Sequence, residues 1–236
     1  MRLTTPLIKA RLIKRYKRFL ADVELATGEV VTVHTANTGS MLGCAEPGSW
    51  VWLRDTRNPK RKYTLSWEMV ENLNGVLIGI DTQLANRLVE EAIRAQLIPE
   101  LVGYAAIRRE VKFESNNSRF DLFLSEHQAL ANCFIEVKNV TAIDEHQVAI
   151  FPDAVSVRGQ KHLQHLVLAR QQGLRAAMVY CVQREDATAF RPADEIDPSY
   201  AKLLRESQTA GVEIYAYRAV VNLKEIRLST ALEVML

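Results

Sequence analysis

Asp121, Glu136 and Lys138 have the types and the spacing for phosphodiester chemistry. Glu136 and Lys138 lie two apart in Phe134-Ile135-Glu136-Val137-Lys138. On a β-strand they share one face, while Ile135 and Val137 turn to the other, into a core. Asp121 lies in Ser118-Arg119-Phe120-Asp121-Leu122-Phe123-Leu124, which reads as the preceding strand, and a hairpin sets it beside Glu136. Two converging carboxylates ionise together only when a cation lies between them. Hard oxygen ligands of this kind suit Mg²⁺ or Mn²⁺. A lysine beside the ion can orient the attacking water or stabilise charge developing on a phosphate. Glu and Lys also alternate on many exposed strands as ion pairs, so the assignment depends on Asp121 and on the elements around it.

Those elements divide near residue 80. Val31 and Val33 alternate with Thr32 and His34, Val51 and Leu53 with Trp50 and Trp52, and Tyr63, Leu65, Trp67 and Met69 with Thr64, Ser66 and Glu68. Val76 to Ile80 reads as a buried strand, and Thr27-Gly28, Pro47-Gly48, Asn58-Pro59 and Asn74-Gly75 punctuate the series. About five short strands without a long helix predict an all-β OB-fold barrel over residues 1–80. Helical spacing of Leu84, Leu88, Ala92 and Ile93 predicts a helix over Leu84–Leu97, with Asp81 or Thr82 as its N-cap. Strands follow at Ile107–Phe113, Arg119–Leu124 and Cys133–Val140. Then come a helix over Gly159–Gln172 ended by Gly173, a strand at Ala176–Val182, a helix over Pro198–Thr209 and a strand at Val212–Tyr217. The expectation is α/β overall: the barrel, then an α/β domain over residues 81–236. Residues 200–221 invite comparison with a helix-turn-helix, but Val212 to Tyr217 alternates like a strand.

The D…ExK spacing and the α-β-β-β-α-β order resemble the PD-(D/E)xK nuclease superfamily. The resemblance implies that Glu91, on the first helix, is an extra metal-binding acid. Glu110, on the strand before Asp121, reads from its position as a further ligand or water-positioning group, and the resemblance sets Gln160 beside the site among the catalytic residues. Either glutamate is equally readable as a surface carboxylate, and Glu90, pointing nearly opposite Glu91, as solvated. His162 and His165 lie three apart on the second long helix; without another ligand pair they read as DNA-backbone contacts or surface residues. Asp153 in Phe151-Pro152-Asp153-Ala154 follows the ExK strand and reads as a turn residue.

Net charge is +2, unevenly spread: residues 1–80 carry twelve Lys/Arg against seven Asp/Glu. A basic first third suggests a polyanion-binding module. Arg15, Lys17 and Arg18 surround Tyr16, and Lys60, Arg61 and Lys62 precede Tyr63, so basic groups that follow phosphates alternate with rings that stack on bases. With Lys161 and His162 they make the predicted DNA surface, without sequence preference. Tyr16 is equally readable as barrel core. Cys44, Cys133 and Cys181 are odd in number and show no CxxC spacing, which excludes a disulfide framework or zinc site and leaves them as buried apolar residues. No apolar run is long enough to span a bilayer and the N-terminus is too polar for a signal peptide, so a cytoplasmic location is expected.

Together these stretches resemble the sugar fermentation stimulation protein A family of bacteria and archaea. The matching segments include His34-Thr35-Ala36-Asn37-Thr38-Gly39-Ser40-Met41, Asn58 to Lys62, Ser118 to Asp121, Ile135 to Thr141, Phe151 to Val155 and Arg158 to Leu163. The resemblance implies an OB-fold joined to a nuclease-like domain, non-specific DNA binding and a link to the regulation of sugar (maltose) metabolism. The match departs at Ala36, where the family usually carries proline. The chain has no sugar-binding signature of its own.

Overall fold

The protein is described by a computed structural model covering residues 1–3, 5–113 and 118–236. Its first part is the expected barrel. β1 (Ile8–Tyr16), β2 (Leu20–Leu25), β3 (Val30–Thr35), β4 (Trp50–Asp55) and β5 (Leu65–Glu71) pair in the order β3-β2-β1-β4-β5. β3 closes on β5 through His34↔Ser66 and Thr35↔Trp67, and β6 (Leu77–Gly79) extends β5 at its free edge. Alternation turns Leu12, Val23, Val33, Val51, Leu53 and Trp67 into one apolar interior. Glu68 departs from the exposed position that alternation predicts: it is buried and paired with Arg54 at 2.8 Å.

A short 3-10 turn (Thr82–Leu84), capped by Asp81 through Gln83 N, leads into α1 (Ala85–Arg94). The helix stops three residues earlier than predicted, and Gln96 takes φ +59. β7 (Ala106–Phe113), β8 (Ser118–Ser125) and β9 (Cys133–Val140) form an antiparallel meander, followed by β10 (Val148–Phe151) and α2 (Val157–Gln171). Then come β11 (Arg175–Val182), β12 (Ala189–Pro192), α3 (Pro198–Thr209), β13 (Glu213–Val221), β14 (Ile226–Ala231) and β15 (Glu233–Val234). The main sheet runs β7-β8-β9-β11-β13-β14, with β9, β11 and β13 parallel. The unpredicted strands β10, β12 and β15 pair as a small second sheet; at two to four residues they are too short to show a period. Residues 200–221 form α3 and then β13, not a helix-turn-helix.

α1 covers one face of the main sheet, over Leu122, Leu124, Ile135, Val137 and Val179. α2 and α3 cover the other, over Phe123, Phe134, Met178 and Tyr180. The two parts share a seam, because Met69, Trp52 and Leu77 of the barrel pack into the core beneath α1. The start of the chain crosses that seam: Met1 exchanges backbone hydrogen bonds with Ile226, and Leu3 N donates to Lys224 O at 2.7 Å. The three cysteines are free and buried. Among the described residues no helix is long and apolar enough to cross a membrane.

Candidate metal centre and its cleft

β8 and β9 pair through Leu122↔Ile135, Phe123↔Phe134 and Leu124↔Cys133, and no further pair continues this register toward Asp121. There the side chain of Asp121 takes over from the backbone: its Oδ2 accepts from Val137 N at 2.8 Å, and its Oδ1 accepts from Asn86 Nδ2 of α1 at 2.7 Å. Glu136, next along β9, is 3% exposed. Its Oε1 accepts from Lys138 Nζ at 2.6 Å and bonds to Nδ1 of His162, which α2 lays across the strand. Arg158, one turn earlier, donates through Nε to His162 Nε2 at 3.3 Å.

The two carboxylates are held differently. Burial pushes Asp121 up to about 6, helped by the charge of Glu136 and opposed by Val137 N, Lys138 and Asn86. Burial acts the same way on Glu136, but the charge of Lys138 and the bond from His162 outweigh it and hold Glu136 below its ordinary value. A buried glutamate beside a half-buried aspartate that resists its charge is a donor set suited to a hard divalent cation. Among the described residues no group of three or more His, Cys, Asp and Glu converges as a fuller ligand shell. The protein thus offers two carboxylates, leaving other positions to water or substrate, as Mg²⁺-type ions tolerate.

These groups lie in a cleft of about 330 Å³ with walls from both parts of the chain. Asp121, Glu136 and Lys138 line it together with Arg158 and His162 from the α/β domain and with Asn37, Thr38 and Gly39 from the barrel. Asp153, read from the sequence as a turn residue, is the link. Its Oδ2 accepts from Ser40 Oγ and Met41 N, each at 3.0 Å. A Cβ on Gly39 would come within 2.7 Å of that oxygen, so only glycine allows so close an approach. Thr82 Oγ1 donates to Ala36 O at 3.2 Å, tying the same loop to the start of the second domain through a carbonyl that proline would also carry.

Several predicted positions lie elsewhere. Glu91 pairs with the N-terminal amine of Met1 at 2.9 Å, so it is not at the centre. Its neighbour Glu90, expected in solvent, is buried and ion-paired with Arg94 and Arg109. α1 reaches the site with Asn86, an amide where an acid was expected. Glu110 is exposed at φ +53 and does not line the cleft. Gln160 donates to Asp197 at 3.0 Å, joining the starts of α2 and α3 instead of facing the carboxylates. Arg15 is engaged internally: its guanidinium donates to the carbonyls of Asn37 (3.1 Å), Gly39 (2.8 Å) and Ser40 (3.2 Å). Tyr16 donates its hydroxyl to Asp22 at 2.8 Å. Lys17, Arg18, Lys60, Arg61, Lys62 and Lys161 are exposed. His162, read as a DNA contact or surface residue, is partly buried against Glu136. Asn86 carried no sequence signal, while Arg158 and the pairing of Asp153 with the 37–41 loop carried only one, that their stretches belong to the family resemblance.

An OB barrel fused to an α/β domain with an Asp/Glu/Lys cluster where its meander opens defines a two-domain protein whose candidate site lies between the barrel and the sheet. Comparison with known proteins narrows this to a family. Residues 13–80 match the SfsA N-terminal OB domain and residues 83–225 the Sugar fermentation stimulation protein RE domain. The sugar fermentation stimulation protein homologue of Citrifermentans bemidjiense is 54% identical over 236 residues, covering all of both chains. That of Thioalkalivibrio sulfidiphilus is 54% identical over 215 residues, covering 91% of this chain and 90% of the relative. The structure of Pyrococcus furiosus SfsA in complex with Ca²⁺ superposes with a TM-score of 0.88 at 30% identity, covering 100% of this chain and 98% of the other. The chain belongs to the sugar fermentation stimulation protein family.

Proposed function

We propose that this protein binds DNA without sequence preference along a surface shared by its two domains, and that Asp121, Glu136 and Lys138 form a divalent-metal phosphodiesterase site within it. One observation carries the reading: the buried Glu136, the half-buried Asp121 and Lys138 line one cleft, with Arg158 beside them and Arg18 bonded to its barrel wall at Thr38 O. Arg18 bonds the barrel loop at Thr38 O with Lys17 next to it in the chain, and Arg158 and Lys161 lie on α2. These cations follow a phosphate backbone, and the binding they provide weakens steeply with salt. Asp121 and Glu136 would hold Mg²⁺ or Mn²⁺, in keeping with the Ca²⁺ complex of the archaeal relative. A cation so bound supplies Lewis acidity and a coordinated water of lowered pKa. Lys138 would turn its ammonium toward an attacking water or the phosphate oxygens, and Arg158 would neutralise the adjoining phosphate. The protein acts in the cytoplasm, where its substrate lies.

A second reading is favoured by the occupancy of Glu136. Lys138 and His162 both engage its Oε1, so a cation has to displace or share these partners. A site of that kind suits a DNA-binding regulator with little or no turnover, and the family's association with sugar metabolism would follow from DNA binding. One experiment separates the two. The purified protein is incubated with plasmid, linear and single-stranded DNA plus Mg²⁺ or Mn²⁺, beside Asp121→Ala. Metal-dependent cleavage lost in the variant supports the enzyme. Salt-sensitive retention without cleavage supports the regulator, and cleavage that survives Asp121→Ala removes Asp121 from the chemistry.

A further inference from the structure

Arg158 and His162 are one helical turn apart on α2, so they share a face of the helix and reach the cleft together. Leu163 and Leu166 anchor that helix in the core, and Ser156 caps it by accepting from Gly159 N at 3.0 Å. The rotation of α2 is thereby set, and it lays the His162 side chain, 15% exposed, against the buried Glu136.

The bonds around the imidazole are enough to place its proton. A guanidinium only donates, so the bond from Arg158 Nε to Nε2, at 3.3 Å, requires a lone pair on that nitrogen. The ring proton is then on Nδ1, which faces Glu136 Oε1, a carboxylate oxygen that accepts. Lys138 Nζ lies 3.0 Å from Nδ1, but it bonds to the same Oε1 at 2.6 Å. Two donors that meet on one oxygen are necessarily neighbours, and this approach needs no bond between them. Among the described residues no group donates to Glu136 Oε2. The carboxylate is therefore held by one oxygen and open at the other.

Resting on the metal-centre reading above, we propose that His162 is a positioning residue for Glu136. Its Nδ1–H and Lys138 together hold Oε1 and leave Oε2 to the cation, while Arg158 keeps the ring in the tautomer that can donate. Partners that hydrogen-bond a metal ligand orient it, and their loss weakens the metal. Asparagine and glutamine separate the two ring nitrogens. The amide nitrogen of asparagine is as many bonds from the backbone as Nδ1, whereas that of glutamine is one bond further out, as Nε2 is.

The test combines Mn²⁺ calorimetry on the full chain and its variants with ¹⁵N NMR of the metal-free protein in mildly alkaline solution. The His162 ring signals are those that disappear in His162→Asn. His162→Ala and His162→Gln weaken Mn²⁺ by about 10–100-fold, His162→Asn restores most of the loss, and the NMR signals place the proton on Nδ1. Tighter binding in His162→Ala would show that the ring competes with the cation, and it overturns the proposal. So do equal affinities in the Asn and Gln variants, or a proton on Nε2, and each of these results leaves the metal centre standing. Failure of the parent protein to bind Mn²⁺ overturns the metal-centre reading and the proposal with it.

Discussion

Asp121 accepts the backbone N–H of Val137 at 2.8 Å, beyond the last paired residues of β8 and β9, so a side chain stands in for the neighbouring strand. The opening of the meander and the placing of the carboxylate are therefore one structural event. The acid that would hold a cation also satisfies the backbone its position exposes.

Replacing Asp121 by Ala leaves Val137 N–H without its partner, and stability falls by about 1–3 kcal/mol in urea unfolding. Asn86→Ala leaves that bond intact and removes only the amide that orients Asp121. Its expected effect is a loss of about 10–100-fold in Mn²⁺ affinity by calorimetry, with little change in unfolding midpoint. Unchanged affinity would show that the amide does not orient the ligand.

Glu91 and Glu110 serve as the opposite control. Glu91 pairs with the chain terminus and Glu110 is exposed away from the cleft. Glu91→Ala and Glu110→Ala are expected to keep Mn²⁺ affinity and to shift stability by no more than about 0.5 kcal/mol. A marked affinity loss in either would return that acid to the metal centre.

Lys60, Arg61 and Lys62 are exposed. Alanine at all three leaves the fold intact and flattens the plot of log binding constant against log salt by about 0.7–0.9 for each phosphate that is no longer neutralised. Arg15→Ala behaves differently, because three loop carbonyls lose a charged donor. It lowers stability by about 2 kcal/mol, and lysine does not rescue it, since a single ammonium cannot reproduce the fork. An unchanged salt slope in the triple variant would place the strand elsewhere.

Asp197 governs part of the acid sensitivity. Burial opposes its charge, but bonds from Ser156 N, Tyr200 N and Gln160 Nε2 outweigh this and hold the carboxyl below its ordinary value. A group depressed in the folded state contributes stability above its unfolded pKa, about 3.9, and loses it as pH falls through the folded value. Asp197→Asn should therefore be less stable than the parent at neutral pH, and the difference should shrink below about pH 4. A difference independent of pH in urea melts would remove the charge from the explanation.

The residues by themselves determined much of this protein. Alternation around Val33 and Val51 specified strands with one apolar face, because side chains on a strand reverse at every residue. The two-residue step from Glu136 to Lys138 placed both on one face, and the strand before it brought Asp121 close. Only the tertiary structure chose between Asn86 and Glu91 on α1, or between Gln160 and His162 on α2. Neighbours on one helix differ in direction by a fraction of a turn, and what each meets depends on how the helix packs. It also turned two apparent surface features inward: Arg15 is held by loop carbonyls, and Asp153 bonds to Met41, 112 positions away. Local pattern reports which face a residue occupies, whereas packing between distant segments decides what lies opposite, and the cleft between barrel and sheet is made by that second choice.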